Sequence, residues 1–139
     1  MTRRASGTFD VKLNPLPAYN SEAPGLSRMS IDKQFHGGIE ATSKGEMLSA
    51  MGTISGSAGY VAIERVTGTL DGRRGGFVLQ HNATMDRGTP SLNIIVVPDS
   101  GTGDLAGLSG SMKIIIADGR HSYEFDYSLA QEQDDGAAV

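Results

Sequence analysis

The sequence predicts an all-β fold, a single antiparallel barrel of eight strands, and three observations carry that prediction. Short segments alternate apolar and polar residues with the two-residue period of a strand. Turns of hairpin length separate them in a chain holding 19 glycines among 139 residues. No segment carries a long apolar stripe at helical spacing. Eight antiparallel strands can close without leaving an edge, around an interior just wide enough for side chains or one small ligand. A two-sheet sandwich is the alternative that the strand count allows.

The first strand is expected over residues 4–13, where Phe9, Val11 and Leu13 share one face and Asp10 and Lys12 the other. The three prolines between Asn14 and Gly25 mark a loop. A second strand follows over Leu26 to His36, with Met29, Ile31 and Phe35 on one face, an alternation interrupted only by Lys33. After a turn at Gly37-Gly38, Ile39 to Gly52 reads as a strand bent by a bulge at Gly45, with a short helix over Glu46 to Met51 as the competing reading. Two further strands meet at Asp71-Gly72, a dipeptide suited to the two positive-φ positions of a type I′ turn. Thr89 to Pro98 is a β-branched buried strand, and the glycine-rich loop Asp99 to Gly110 leads to a last hairpin turning at Asp118-Gly119. The ordered core is expected over about residues 4–129 of one domain, with 130–139 a frayed tail.

Composition narrows the class of function. A net charge of −4 argues against a dedicated nucleic-acid surface. With 38% hydrophobic and 20% charged residues the chain lies outside the disordered profile. The absence of cysteine removes disulfides and thiolate metal sites. MTRRAS is followed by no apolar run, and no apolar stretch is long enough to span a membrane as a helix, so the cytoplasm is the expected location.

The central hairpin, Tyr60 to Met85, supplies the candidate site. With a two-residue loop, Leu70 faces Arg73, Val66 faces Phe77, Glu64 faces Leu79 and Ala62 faces His81. Tyr60, Ala62, Glu64, Val66, Phe77, Leu79, His81, Ala83 and Met85 then share one face, with Glu64 and His81 as diagonal neighbours. Burial raises a carboxyl pKa unless a donor compensates, and His81 or Tyr60 is the expected donor. An acid and an imidazole on an apolar surface suit proton transfer to and from a small organic molecule; a satisfied network that merely fixes register is the other reading. In the last hairpin, Met112 faces Phe125, Ile114 faces Tyr123, and His121 lies near the turn at a barrel rim.

Two other motifs carry less. Gly101 to Ala106 matches a dinucleotide-turn pattern in letters, but a strand follows instead of the helix such a turn must open. His36, His81 and His121 lack metal-ligand spacing, so neither metal nor cofactor is expected.

The runs GYVAIERVTGTLDGRRGGFVLQH, VPDSGTGDLAGLSGSMKI and HSYEFDYSL resemble a bacterial family of unknown function, itself similar to the allene oxide cyclase and dirigent barrels. The resemblance covers about Ser6 to Leu129 and implies an eight-stranded barrel with a partly apolar cavity, relatives that bind hydrophobic small molecules or steer their cyclisation, and a homo-oligomer. It transfers no catalytic residue. The expected function is therefore binding of a small, largely apolar ligand, with cofactor-free isomerisation or cyclisation. Glu64, His81 and Tyr60 would be its catalytic groups, with Phe77, Leu79, Met85, Met112, His121, Tyr123 and Phe125 around the ligand. A non-catalytic carrier or sensor, and a filled barrel serving oligomerisation, are the alternatives.

Overall fold

The computed structural model describes residues 2–19, 22 and 25–129. Its nine strands form one sheet: β1 (Arg3–Leu16), β2 (Leu26–Gly37), β3 (Ile39–Met51), β4 (Ala58–Leu70), β5 (Arg73–Asp86), β6 (Thr89–Val96), β7 (Thr102–Gly103), β8 (Leu108–Ala117) and β9 (Arg120–Leu129). Eight close into an antiparallel barrel in the ring order β1-β2-β3-β4-β5-β6-β8-β9, and β9 returns to β1. The short β7 is an additional strand on β5, pairing Gly103 with Gly75 and Thr102 with Gly76. Closure replaces the sandwich alternative. No helix of the described residues is long and apolar enough to cross a membrane. The expected frayed tail lies outside the described residues.

Turn chemistry sets the register. Asp71 and Gly72 have φ of 47° and 85°, and Asp118 and Gly119 have 53° and 75°, so both hairpins turn through two left-handed residues. The facing pairs follow as the two-residue loops require, from Leu70↔Arg73 to Ala62↔His81 and from Ala117↔Arg120 to Met112↔Phe125. A third such turn, at Arg87 and Gly88 with φ of 49° and 93°, joins β5 to β6. Its arginine lacks the Asn or Asp signature of a left-handed position.

Three sequence expectations are corrected. β1 continues through Asn14, Pro15 and Leu16, paired with Ser30, Met29 and Arg28, rather than breaking into a loop at Asn14. Proline is tolerated there because β1 pairs with β9 only as far as Phe9, leaving the other side of its second half as a free edge. Gly45 is not a bulge: it pairs without a break with Ile31 on one side and Glu64 on the other. The alternation fails because Leu48 faces outward, not because the register slips. The same strand pairing excludes the short helix over Glu46 to Met51.

The interior divides into two halves. Toward the Asp71-Gly72 turn it is solidly packed. Phe77 stacks on Phe125 at 5.6 Å, Phe125 on Tyr127 at 5.4 Å, and Phe35 meets the edge of Tyr123 at 5.5 Å. Leu105, from the connection between β6 and β8, is fully buried against this core. Tyr123 ties β9 to the β2–β3 turn: its hydroxyl accepts from the Ile39 N–H at 2.9 Å and donates to the His36 carbonyl at 2.8 Å. Tyr127 donates to the Asp71 carboxylate, and burial together with that bond pushes its phenol up to about 12.

The opposite end is open. Leu13, Met51, Met85, Leu92 and Ile116 occupy inward positions of their strands there yet stay 40–68% exposed. The wall is thin at this end, since β6 and β8 share only the pairs Ile94↔Met112 and Ile95↔Ser111.

Gly45 marks where β3 and β4 approach too closely for a side chain. A Cβ on it would lie 2.1 Å from the Ile63 carbonyl oxygen and 2.6 Å from Glu64 Cα. Gly45→Ala should destabilise the barrel by about 3 kcal/mol, the upper part of the overpacking range, measured by chemical denaturation; unchanged stability would contradict this close approach. Tyr123→Phe should cost about 1–3 kcal/mol in the same assay, because the buried Ile39 N–H loses its acceptor.

Candidate functional site

Between the packed half and the open half lies a layer of buried polar side chains. Glu64 on β4 is wholly buried, and its carboxylate receives donors from three other strands. Ser43 on β3 donates to Oε1 at 2.7 Å. Lys33 on β2 donates to Oε2 at 2.8 Å. His81 on β5 places Nε2 2.6 Å from the same oxygen. All four residues are buried, and alternation along each strand turns them inward. Gly45, which pairs with Glu64, lets β3 approach β4 at this level more closely than any side chain would allow.

Electrostatics favour the ionised carboxylate. Burial pushes Glu64 up, but the hydrogen bond from His81 and the charge of Lys33 outweigh it and hold the carboxyl at about 2. Lys33 has a second environment, its ammonium lying 4.9 Å from the Phe9 ring centroid and 5.7 Å from that of Phe35. It therefore joins the polar layer to the aromatic half beneath it.

His81 is the member with unused capacity. Its Nδ1 is buried and has no hydrogen-bond partner, the one such side-chain atom among the described residues. The two ring nitrogens diverge, so with Nε2 on Glu64 the other nitrogen faces away from the carboxylate. An ionised carboxylate has no proton to give, so Nε2 is the donor of that bond. In the neutral ring Nδ1 then carries the lone pair.

Tyr60 is not a donor to Glu64, whose oxygens are taken by Lys33, Ser43 and His81. It is half-buried one inward pair nearer the mouth, its ring 6.3 Å from that of His81. Burial, and then the Glu64 charge, push its phenol up. Tyr60 also lines a pocket of about 300 Å³ at the open end, with Met47, Met51, Ala83, Met85 and Leu92. A larger groove of about 640 Å³ crosses the outer wall beside the outward-facing Leu48, Val61 and Ile63. His81 is among the residues lining that groove and not the smaller pocket, but its side chain is buried on the inner face beside Tyr60, which does line the smaller pocket.

The other residues expected around a ligand are dispersed. Met85 lines the open-end pocket. Phe77, Leu79, Met112, Tyr123 and Phe125 are packed into the closed half, and the Tyr123 hydroxyl is engaged by backbone. His121 sits at the rim against Phe9, ring centroids 5.2 Å apart, and does not join the Glu64 cluster. His36 is exposed beside Asp10 at 3.4 Å. Among the described residues no group of three or more His, Cys, Asp or Glu is arranged for a metal. Sequence reasoning missed Lys33 and Ser43. The signal for Lys33 was its interruption of an apolar face; Ser43 was hidden by the bulge reading of Gly45.

The profile of a family described as "Protein of unknown function (DUF3224)" matches residues 5–127, and the chain belongs to that family. Among solved structures it is similar to the crystal structure of a protein with unknown function from the DUF3224 family of Shewanella oneidensis MR-1. The two are 52% identical with a TM-score of 0.89, and the match covers 93% of this chain and 98% of that one. No curated protein matches the chain.

The depressed Glu64 pKa fixes the sign of a pH effect. A folded value of about 2 against an ordinary 4.5 contributes stability that is fully present above 4.5 and is lost as pH falls toward 2, about 3 kcal/mol in all. Urea denaturation at pH 5 and pH 2 should therefore show the wild type losing about 3 kcal/mol more than Glu64→Gln. Lys33→Met should destabilise the protein at neutral pH and raise the midpoint of acid unfolding, since the carboxylate loses its cation. An unmoved midpoint would refute that coupling.

Proposed function

For this member of the DUF3224 family we propose binding of a small, largely apolar molecule at the open end of the barrel, with cofactor-free isomerisation by proton transfer. The observation that carries the reading is His81 Nδ1, a buried and unpaired base whose other nitrogen is oriented by an ionised carboxylate. Glu64 holds the ring in one tautomer and stabilises the imidazolium that forms on proton uptake. Lys33 and Ser43 keep that carboxylate ionised and in place. A proton taken from one atom of the bound molecule is returned by His81 to another, so substrate and product share one composition and the protein ends unchanged. Met47, Met85 and Leu92 supply the apolar walls and Tyr60 a polar contact.

Natively purified protein should release a stoichiometric apolar compound on solvent extraction, identified by mass spectrometry against a blank. That compound, added back, should raise the melting temperature and be converted to an isomer. His81→Phe should still bind the compound, more weakly, while lowering kcat at least about 100-fold. Binding without conversion would make the protein a carrier. An empty extract, with no thermal shift from any small apolar compound, would overturn the reading.

A further inference from the structure

We propose that the ligand of the open end carries a weakly acidic hydroxyl, a phenol or an enol, and is held as its anion with its proton on His81 Nδ1. This rests on the site reading above and names its ligand class.

The geometry of the polar layer selects that chemistry. With Nε2 donating to Glu64, Nδ1 of the neutral ring is an acceptor that no protein group meets. The complementary ligand is therefore a hydrogen-bond donor; a hydrocarbon, ether or ketone leaves the nitrogen unsatisfied. Charge narrows the class further. Lys33 and Glu64 cancel while His81 is neutral, so a proton moved from the ligand to Nδ1 leaves the protein cluster at +1 beside a ligand at −1. One O–H bond breaks, one N–H bond forms, and the pair stays neutral overall.

The way in separates a phenol from a carboxylate. Met47, Met51, Met85 and Leu92 line the mouth, and a group already ionised in water would be stripped of hydration there. A hydroxyl enters uncharged and ionises only when it reaches His81. Tyr60 stands between the pocket and His81 in the strand register and Nδ1 has no exposed surface, so the proposal requires the Tyr60 ring to swing aside for the ligand. Its own hydroxyl then becomes a donor for the anion. The groups that set the bound proton's position are thus Lys33 on β2, Tyr60 and Glu64 on β4, and His81 on β5. A pocket of about 300 Å³ accommodates about 10–15 non-hydrogen atoms at interior packing density, one ring with a short substituent.

The test uses intact protein and 4-nitrophenol at a pH where the free probe is mostly protonated. The bound probe should show the absorption of its phenolate and bind at least tenfold more tightly than 4-nitroanisole or 4-nitrobenzoate. His81→Phe should abolish the phenolate band. Tyr60→Phe, at a half-buried position that leaves the polar layer intact, should keep the band and weaken binding several-fold. Equal binding of 4-nitrophenol and 4-nitroanisole, with the bound phenol still protonated, would overturn the ligand class while leaving an apolar site standing. Tighter binding of 4-nitrobenzoate would overturn it in favour of a carboxylate site. Binding of none of the three would remove the site reading together with the inference.

Discussion

The structure depends on one buried carboxylate. Glu64 has no contact with solvent, and an ionised group so placed is stable only if donors meet it in the interior. Those donors come from β2, β3 and β5, so a single side chain on β4 constrains the mutual register of four strands. A slip of one residue in any of them would turn its donor to the outer face. The network therefore specifies pairing as well as holding a charge, and its cost is offset only when all three partners are present together.

The same layer explains why the two ends of the barrel differ. Toward the Asp71-Gly72 turn, stacked aromatics and Leu105 leave no room for a ligand, and Lys33 closes that half with its ammonium over Phe9 and near Phe35. Toward the other end the wall loosens, Met, Leu and Ala dominate the inward side chains, and Tyr60 is the pocket-lining residue whose ring lies against that of His81. A packed floor beneath an apolar, Met-rich mouth is the arrangement that the proposed function requires, one reactive atom held in place beside walls that adapt to an irregular hydrocarbon body.

Much of the barrel was legible because its punctuation is local. Asp71-Gly72 and Asp118-Gly119 demand left-handed backbone at two successive residues, and once the turn is set every facing pair along both hairpins follows. Glu64 and His81 became neighbours by that argument alone. Lys33 and Ser43 lie on other strands, and no turn rule links them to Glu64. The break that Lys33 makes in its apolar face was visible, but its partner was not. Alternation also tells only which side of a strand faces inward, not how far along the barrel the packing is complete. Phe77, Phe125 and Met85 all face inward, yet only Met85 reaches the mouth.

What the sequence determined by itself was therefore the strand identities, the two hairpin registers and the inward face holding Glu64, His81 and Tyr60. All of these follow from steric rules acting within a few residues or across one turn. Tertiary structure alone decided closure of the ring through β1 and β9, the approach of β3 to β4 that requires Gly45, and the meeting of Lys33 and Ser43 with Glu64. These depend on strand coiling and on contacts between segments far apart in the chain. For such contacts the deciding term is whether a buried charge finds all of its donors at once, a condition no local pattern encodes.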